Sequence, residues 1–319
     1  MQNRQTVLLS ACAAALVGVV GLANAAPVVI VNDTWRDGTR TDPAAPVYSE
    51  NAVDGDVDGD VESAWFLGGA GTLDPVGPNG PLRGQLVTAT ASSSTWTTYF
   101  TPEASPVTLG AQGDSMKVTW IFTPTTVGTA NTSQNFRVAL VDSPSASRLA
   151  VDGAPGNATY TGYGMFMNMG PTLGNSNPFR LVERSDPTTA SALLSSSGSW
   201  AGLANGATSG NAGYTSGTEY TFEMLLTRNA LDGIDFQASM RGGNLDGDGE
   251  ALVVFTDSTP NGGSFSFDTF SIRPSDAGTT AAIFDTRLFR VEYTPIPEPT
   301  AAFGLMAAAG VGLFRRRRA

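Results

Sequence analysis

The chain has 319 residues, 18 of them basic and 29 acidic, with a single cysteine and no histidine. Those scarcities exclude Ser-His-Asp and Cys-His nucleophilic sites, histidine acid–base catalysis, Cys/His zinc sites and any intrachain disulfide. A net charge of −11 also speaks against nucleic acid as a partner, because phosphate binding needs clustered Lys and Arg.

Arg4 gives a positive n-region, residues 6–22 are apolar or small, and Ala23-Asn24-Ala25 has the A-x-A form of a signal-peptidase site. A signal peptide over residues 1–25 is therefore expected, taken by the Sec translocon and cut by signal peptidase after Ala25. Leu9-Ser10-Ala11-Cys12 also has the form of a lipobox, which would make Cys12 a lipidated N-terminus. The apolar run continues well past Cys12, where a lipobox would end it, so ordinary cleavage is the reading adopted.

The mature segment reads as short alternating runs separated by Gly, Asn, Ser and Pro, an all-β pattern. Residues 28–31 form a first strand. Residues 85–91 and 95–100, separated by Ser92-Ser93-Ser94, are predicted to pair as a hairpin. Residues 116–122 alternate most cleanly, with Met116, Val118, Trp120 and Phe122 inward and Lys117 and Thr119 outward. Phe136, Val138 and Leu140 repeat this, with Arg137 outward. Tyr220, Phe222, Met224 and Leu226 share one face, and Ile234, Phe236, Ala238 and Met240 follow a turn over residues 229–233. Phe265 and Phe267 are out of phase with Phe270 and Ile272, which predicts a β-bulge at Asp268-Thr269. The last strand turns Phe289, Val291 and Tyr293 inward. No run keeps helical periodicity over three turns. The expected fold is all-β: one two-sheet antiparallel sandwich, jelly-roll or concanavalin-like, over residues 26–296. Residues 37–71 and 195–217 are expected to be loops at its ends.

Asp54, Asp56, Asp58, Asp60 and Glu62 fall at every second position with small residues mostly between them, a pattern suited to a hard cation such as Ca²⁺. The first six positions match an EF-hand loop, but Trp65 stands where the closing Glu belongs, so that reading fails. The alternative is a solvated acidic loop. Residues 244–250 are a second acidic run that reads as a Gly-Asp hairpin turn. Tyr160, Tyr163, Trp200 and Tyr214 lie in Gly/Asn-rich segments and could line a sugar-stacking face or cap the core. Met165, Met167 and Met169 alternate and read as core, although thioethers suit Cu(I). Glu219 and Glu223 read as the outer face of a strand.

The chain ends in Pro297-Glu298-Pro299, an uncharged run over residues 301–314, and Arg315, Arg316, Arg317 and Arg318. As a helix the run would be about 21 Å long, short for a hydrocarbon core of about 30 Å, so it is a short transmembrane segment with the arginines held on the cytoplasmic side. Removing Arg4, the four terminal arginines and Glu298 leaves 13 basic and 28 acidic residues, a mature net charge of −15.

This trio resembles the PEP-CTERM sorting signal of Gram-negative exported proteins. The resemblance implies processing by an exosortase, a transient inner-membrane anchor, release to the cell surface or medium, and association with exopolysaccharide or biofilm. The residues 33–38, 136–142 and 284–286 resemble the sandwich modules that precede such tails, related in shape to carbohydrate-binding jelly rolls. That resemblance implies a structural calcium held by Asp285 with Asp33. Jelly-roll glycosidases similar to laminarinases carry E-x-D-x-x-E on one strand, and alginate-lyase-like sandwiches need a His; neither occurs here. The functional expectation is a non-catalytic structural or adhesive matrix protein. The alternatives are a calcium-stabilised carbohydrate-binding module and, as minor ones, an ice-binding protein or a carboxylate-based glycan-active enzyme.

Overall fold

The computed structural model describes residues 25–76, 83–263 and 265–297. Ala25 is half-buried and Pro297 is exposed and in no regular element. Ala23, Glu298, Pro299, the apolar run 301–314 and Arg315 to Arg318 lie outside the described residues, and no described helix is long and apolar enough to cross a membrane.

The strands are, in order, β1 (Val28–Asp33), β2 (Trp65–Gly69), β3 (Gly71–Val76), β4 (Arg83–Thr88), β5 (Ser94–Tyr99), β6 (Val107–Thr108) and β7 (Ser115–Val127). Next come β8 (Phe136–Asp142), β9 (Asn157–Ala158), β10 (Thr161–Met167), β11 (Phe179–Arg184), β12 (Ser191–Ala192) and β13 (Trp200–Asn205). The last are β14 (Tyr220–Arg228), β15 (Ile234–Arg241), β16 (Glu250–Asp257), β17 (Ser266–Phe267), β18 (Thr269–Pro274) and β19 (Ala281–Thr294). One eight-stranded antiparallel sheet runs β16-β15-β14-β7-β19-β4-β3, with β1 added beside β19. A seven-stranded antiparallel sheet runs β13-β11-β10-β8-β18-β5-β2.

The alternation explains the sandwich. Met116, Val118, Trp120 and Phe122 of β7 are fully buried, as are Phe136, Val138 and Leu140 of β8 from the opposite sheet. The two inner faces meet in one core, in which Phe122, Phe136 and Phe284 surround Trp120. The Trp120 indole N–H is satisfied by Thr286 Oγ1 at 3.1 Å, so the ring is buried without an orphaned donor. Met165, Met167 and Met169 belong to this core.

Three expectations are corrected. The predicted hairpin does not form: β4 and β5 belong to different sheets, Ser92 and Ser93 lie in the crossover between them, and Ser94 begins β5. The neighbouring β2–β3 link crosses likewise. Its Gly71 has φ +115°, and a Cβ there would sit 2.2 Å from the Val87 carbonyl oxygen. Alternation reveals which way a side chain faces, not which sheet its strand joins. Second, the phase break is no bulge within one strand. It is the junction at Asp268, where β17 leaves its pairing with β6 and β18 enters the seven-stranded sheet. Third, the two presumed end loops contain β2 and β13.

Candidate metal centre

Asp33 ends β1, where it pairs with Phe289 of β19. The chain then makes a long excursion, closed on itself by a bridge of Ser49 with Ser63, and returns beside β1 through a bridge of Asn32 with Val61. Asn32 N–H donates to Val61 O at 2.7 Å and Ala52 N–H to Ile30 O at 3.0 Å. Strand alternation at this return turns Asp60 and Glu62 the same way. Asp33, Asp60 and Glu62 are all buried, and one carboxylate oxygen from each lies within 4.8 Å of the others. Glu62 belongs in the same way to a second group with Asp37 and Asp42.

The hydrogen bonding is one-sided. Asp60 Oδ2 accepts from Thr34 N–H at 2.7 Å and Thr34 Oγ1 at 2.6 Å, but Asp60 Oδ1 is buried with no partner. Asp33 accepts from Trp35 N–H at 3.0 Å and Trp65 Nε1–H at 3.1 Å. Among the described residues no Arg or Lys forms an ion pair with Asp33, Asp60 or Glu62. Burial first, then the charges of Asp33, Asp37 and Asp60, push the Glu62 carboxyl up to about 10. Burial also raises Asp33 well above the usual carboxylate range, against the hydrogen bonds from Trp35 and Trp65. An orphaned buried carboxylate oxygen beside two desolvated carboxyls is costly unless a cation joins them. The donor set is all oxygen and fits a hard divalent cation. Among the described residues, five of the eight non-glycine positions with positive φ (Trp35, Tyr48, Asn51, Ala52 and Val57) lie in this excursion, so its path is locally strained.

The remaining sequence-predicted ligands divide. Asp54 accepts from Val57 N–H at 2.6 Å and Gly59 N–H at 3.1 Å, and Asp56 from Asp58 N–H at 3.3 Å, so both shape their own loop. With Glu50 they make a separate, more exposed group. Asp58 Oδ1 accepts from Asp60 N–H at 3.2 Å, and its Oδ2 is buried without a partner. Asp285 does not join Asp33: it pairs with Arg83 at 3.2 Å and accepts from Gln85 Nε2 at 3.1 Å on β4. Sequence reasoning missed Asp37, Asp42 and Glu50. Their only signal was membership of the same acidic excursion.

The four aromatic candidates are interior, as the core-capping alternative expects, and do not form an exposed stacking face. Tyr160, Tyr163 and Tyr214 are at most 2% exposed and Trp200 is 7% exposed. The segment after β11 folds over the outer face of the seven-stranded sheet, and its Leu193 and Leu194 form a small second core with Tyr160, Phe166 and Trp200. Tyr163 points instead into the sandwich, where its O–H donates to Asp257 at 2.8 Å, and Tyr214 packs on Tyr220 at 4.9 Å. The 244–250 run is the β15–β16 turn, where Asp246 Oδ1 accepts from Thr208 N–H at 2.9 Å.

Beside Tyr163, Glu183 and Asp257 are both buried, and Asn261 donates to Glu183 through its backbone N–H at 2.5 Å and its Nδ2 at 2.7 Å. Burial, offset in part by the Asn261 N–H and reinforced by Asp257, pushes Glu183 up to about 7; burial with Asp268 nearby does the same to Asp142. Both carboxyls hold protons in the folded chain that the unfolded chain has already lost. The stability they contribute is complete below the ordinary carboxylate range and is lost as pH rises towards about 7. The urea midpoint is therefore expected to fall between pH 5 and pH 7.5, and Glu183→Gln should flatten that fall; a rising midpoint insensitive to the variant would contradict it.

No family model matches the chain, and no curated protein matches it. Among solved structures it is similar to the carbohydrate recognition domain of Emp47p, at 13% identity over 74% of this chain and 90% of that one, with a TM-score of 0.42. It is also similar to peanut lectin (10% identity, 85% and 98% covered, TM-score 0.43) and to the alginate lyase vAL-1 from Chlorella virus (9%, 71% and 92%, 0.38).

Proposed function

We propose that this protein is an exported, calcium-loaded β-sandwich that serves as a non-catalytic structural or adhesive unit of an extracellular polysaccharide matrix. The observation that carries the calcium assignment is that Asp60, grouped with the buried Asp33 and Glu62, keeps its Oδ1 buried and unpartnered. Asp33, Asp60 and Glu62 would hold the ion, with Asp37 and Asp42 beside them; the ion would neutralise their charge and fix the strained excursion to β1. The non-catalytic reading is supported by the missing histidine and by Glu219 and Glu223, which are committed to ion pairs with Arg287, Lys117 and Arg241.

Export and sorting rest on the two ends of the sequence: signal peptidase would release the N-terminus, and an exosortase would act at Pro297-Glu298-Pro299. Deleting residues 297–319 is expected to move the protein from the envelope fraction to the medium or periplasm. Unchanged membrane association would overturn the sorting assignment.

A further inference from the structure

Arginines line up across the outer face of the seven-stranded sheet. Arg273 of β18 lies directly opposite Arg137 of β8. Arg137 lies opposite Phe166 of β10, and Phe166 opposite Arg180 of β11. Side chains of directly paired residues share a face, so the three arginines form one row. Phe166 within it is buried under the Arg137 guanidinium and against Leu194 and Trp200, so it is the guanidinium groups and not the ring that a ligand can meet. The row crosses three strand spacings of about 4.8 Å, about 14 Å in all.

None of the three is neutralised. All are half-buried, and among the described residues none pairs with a carboxylate. Arg137 donates to the carbonyls of Gln134 and Leu194 at 3.3 and 2.8 Å and lies over the Phe166 ring. Arg273 donates to Ser93 Oγ at 2.8 Å. Arg180 runs along Gly202, where a Cβ would sit 1.9 Å from its Nη2, so a glycine is what gives this guanidinium its berth. Partial desolvation pushes Arg137 and Arg273 down, and Arg273 adds to the effect on Arg137.

The rest of the domain behaves differently. Apart from Arg184, buried on this same face, and Arg36, every other described basic side chain has a carboxylate partner. On the outer face of the other sheet Lys117 pairs with Glu223 and Glu292, and Arg241 with Glu223 and Glu250. The chain has 29 acidic residues, yet among the described ones none forms an ion pair with this row. Like charges directly opposed destabilise a sheet, a cost that an anion lying across the row would offset. Guanidinium forks suit carboxylates, which they bind with two parallel hydrogen bonds.

We propose that Arg273, Arg137 and Arg180 form a binding track for a linear polysaccharide bearing carboxylates, a polyuronate, with successive sugar carboxylates meeting successive arginines. The track is too long for one small anion. Its positive charges stand one and two strand spacings apart, which suits a sparsely charged chain better than duplex nucleic acid, with a charge every ~1.7 Å. The track is separate from the acidic pocket and needs no ion there.

The test is affinity electrophoresis and calorimetry of full-length protein with polygalacturonate, calcium being present throughout, against dextran sulfate, polyglutamate and uncharged dextran. Polygalacturonate is expected to bind and to weaken as salt rises. The Arg180→Gln/Arg273→Gln variant should lose at least tenfold in affinity while its melting temperature stays level or rises, because it removes repulsion. Arg273→Lys should keep more of the affinity than Arg273→Gln. If the double variant fails to fold, Arg180→Gln alone carries the test. Absence of polygalacturonate binding, equal binding by the variants, or equal binding of dextran sulfate or polyglutamate would overturn the proposal.

Discussion

Asp268→Ala is expected to lower the unfolding free energy by about 3–5 kcal/mol, because it takes the buried carboxylate from Arg148, leaving it only the half-exposed Glu103, and strands the buried donors of Ser143 and Thr269. Asp268 and the Arg148 side chain are 1% and 2% exposed and meet at 2.8 Å. Asp268 also accepts from Ser143 N–H at 2.9 Å, Ser143 Oγ at 3.1 Å and Thr269 Oγ1 at 2.6 Å. Arg148 donates to Thr101 O at 2.7 Å, pairs with Glu103, and lies over the rings of Tyr48 and Tyr99. Those two tyrosines pack with Ala64 and Phe66 in a satellite core from the excursion, β2 and β5. Losing Asp268 should therefore loosen the excursion that carries the acidic pocket as well as the junction of β17 and β18. Urea unfolding followed by circular dichroism measures the effect; a loss below about 1 kcal/mol, the scale of an exposed pair, would show that the pair is not buried in solution.

The second large effect concerns Glu62 and Asp60. At a calcium concentration of about 100 times Kd, binding adds about 2.7 kcal/mol, equivalent to about 5–10 °C in Tm for a domain of this size. Glu62→Gln and Asp60→Asn should each abolish most of that increment. Without calcium, Glu62→Gln should be no less stable than the parent, since it removes a carboxyl crowded by Asp33, Asp37 and Asp60. A structural role alone would give the opposite pattern, a calcium-independent loss in both variants. Asp285→Asn, whose side chain bonds to Arg83 and Gln85 and not to the acidic pocket, should leave the calcium increment unchanged.

Much of the fold was legible because one face of each strand is dry. Met116 to Phe122, Phe222 to Leu226 and Phe289 to Val291 alternate in sequence and bury in alternation. What alternation cannot carry is partnership: the 85–91 and 95–100 runs are strands as expected but sit in opposite sheets. The acidic site was half legible. The regular spacing at Asp54 to Glu62 marked the loop, but only the folded path separates Asp54 and Asp56, which tie that loop together, from Asp60 and Glu62, which turn towards Asp33. Asp37 and Asp42 reach the same place from a stretch with no pattern. The aromatic candidates stayed ambiguous in sequence because their Gly/Asn-rich surroundings resemble exposed loops; the fold decides for the core, with Leu193 and Leu194 packed on Tyr160 and Trp200. The arginine row carried no sequence signal, since its members come from three strands brought together only by register.

Calorimetric titration of calcium into chelator-stripped full-length protein, in parallel with Asp60→Asn, is decisive for the calcium-loaded sandwich. Saturable binding to the parent, accompanied by a higher Tm and lost in Asp60→Asn, is the predicted result. No binding heat and an unchanged Tm in the parent, or equal binding by Asp60→Asn, would contradict it.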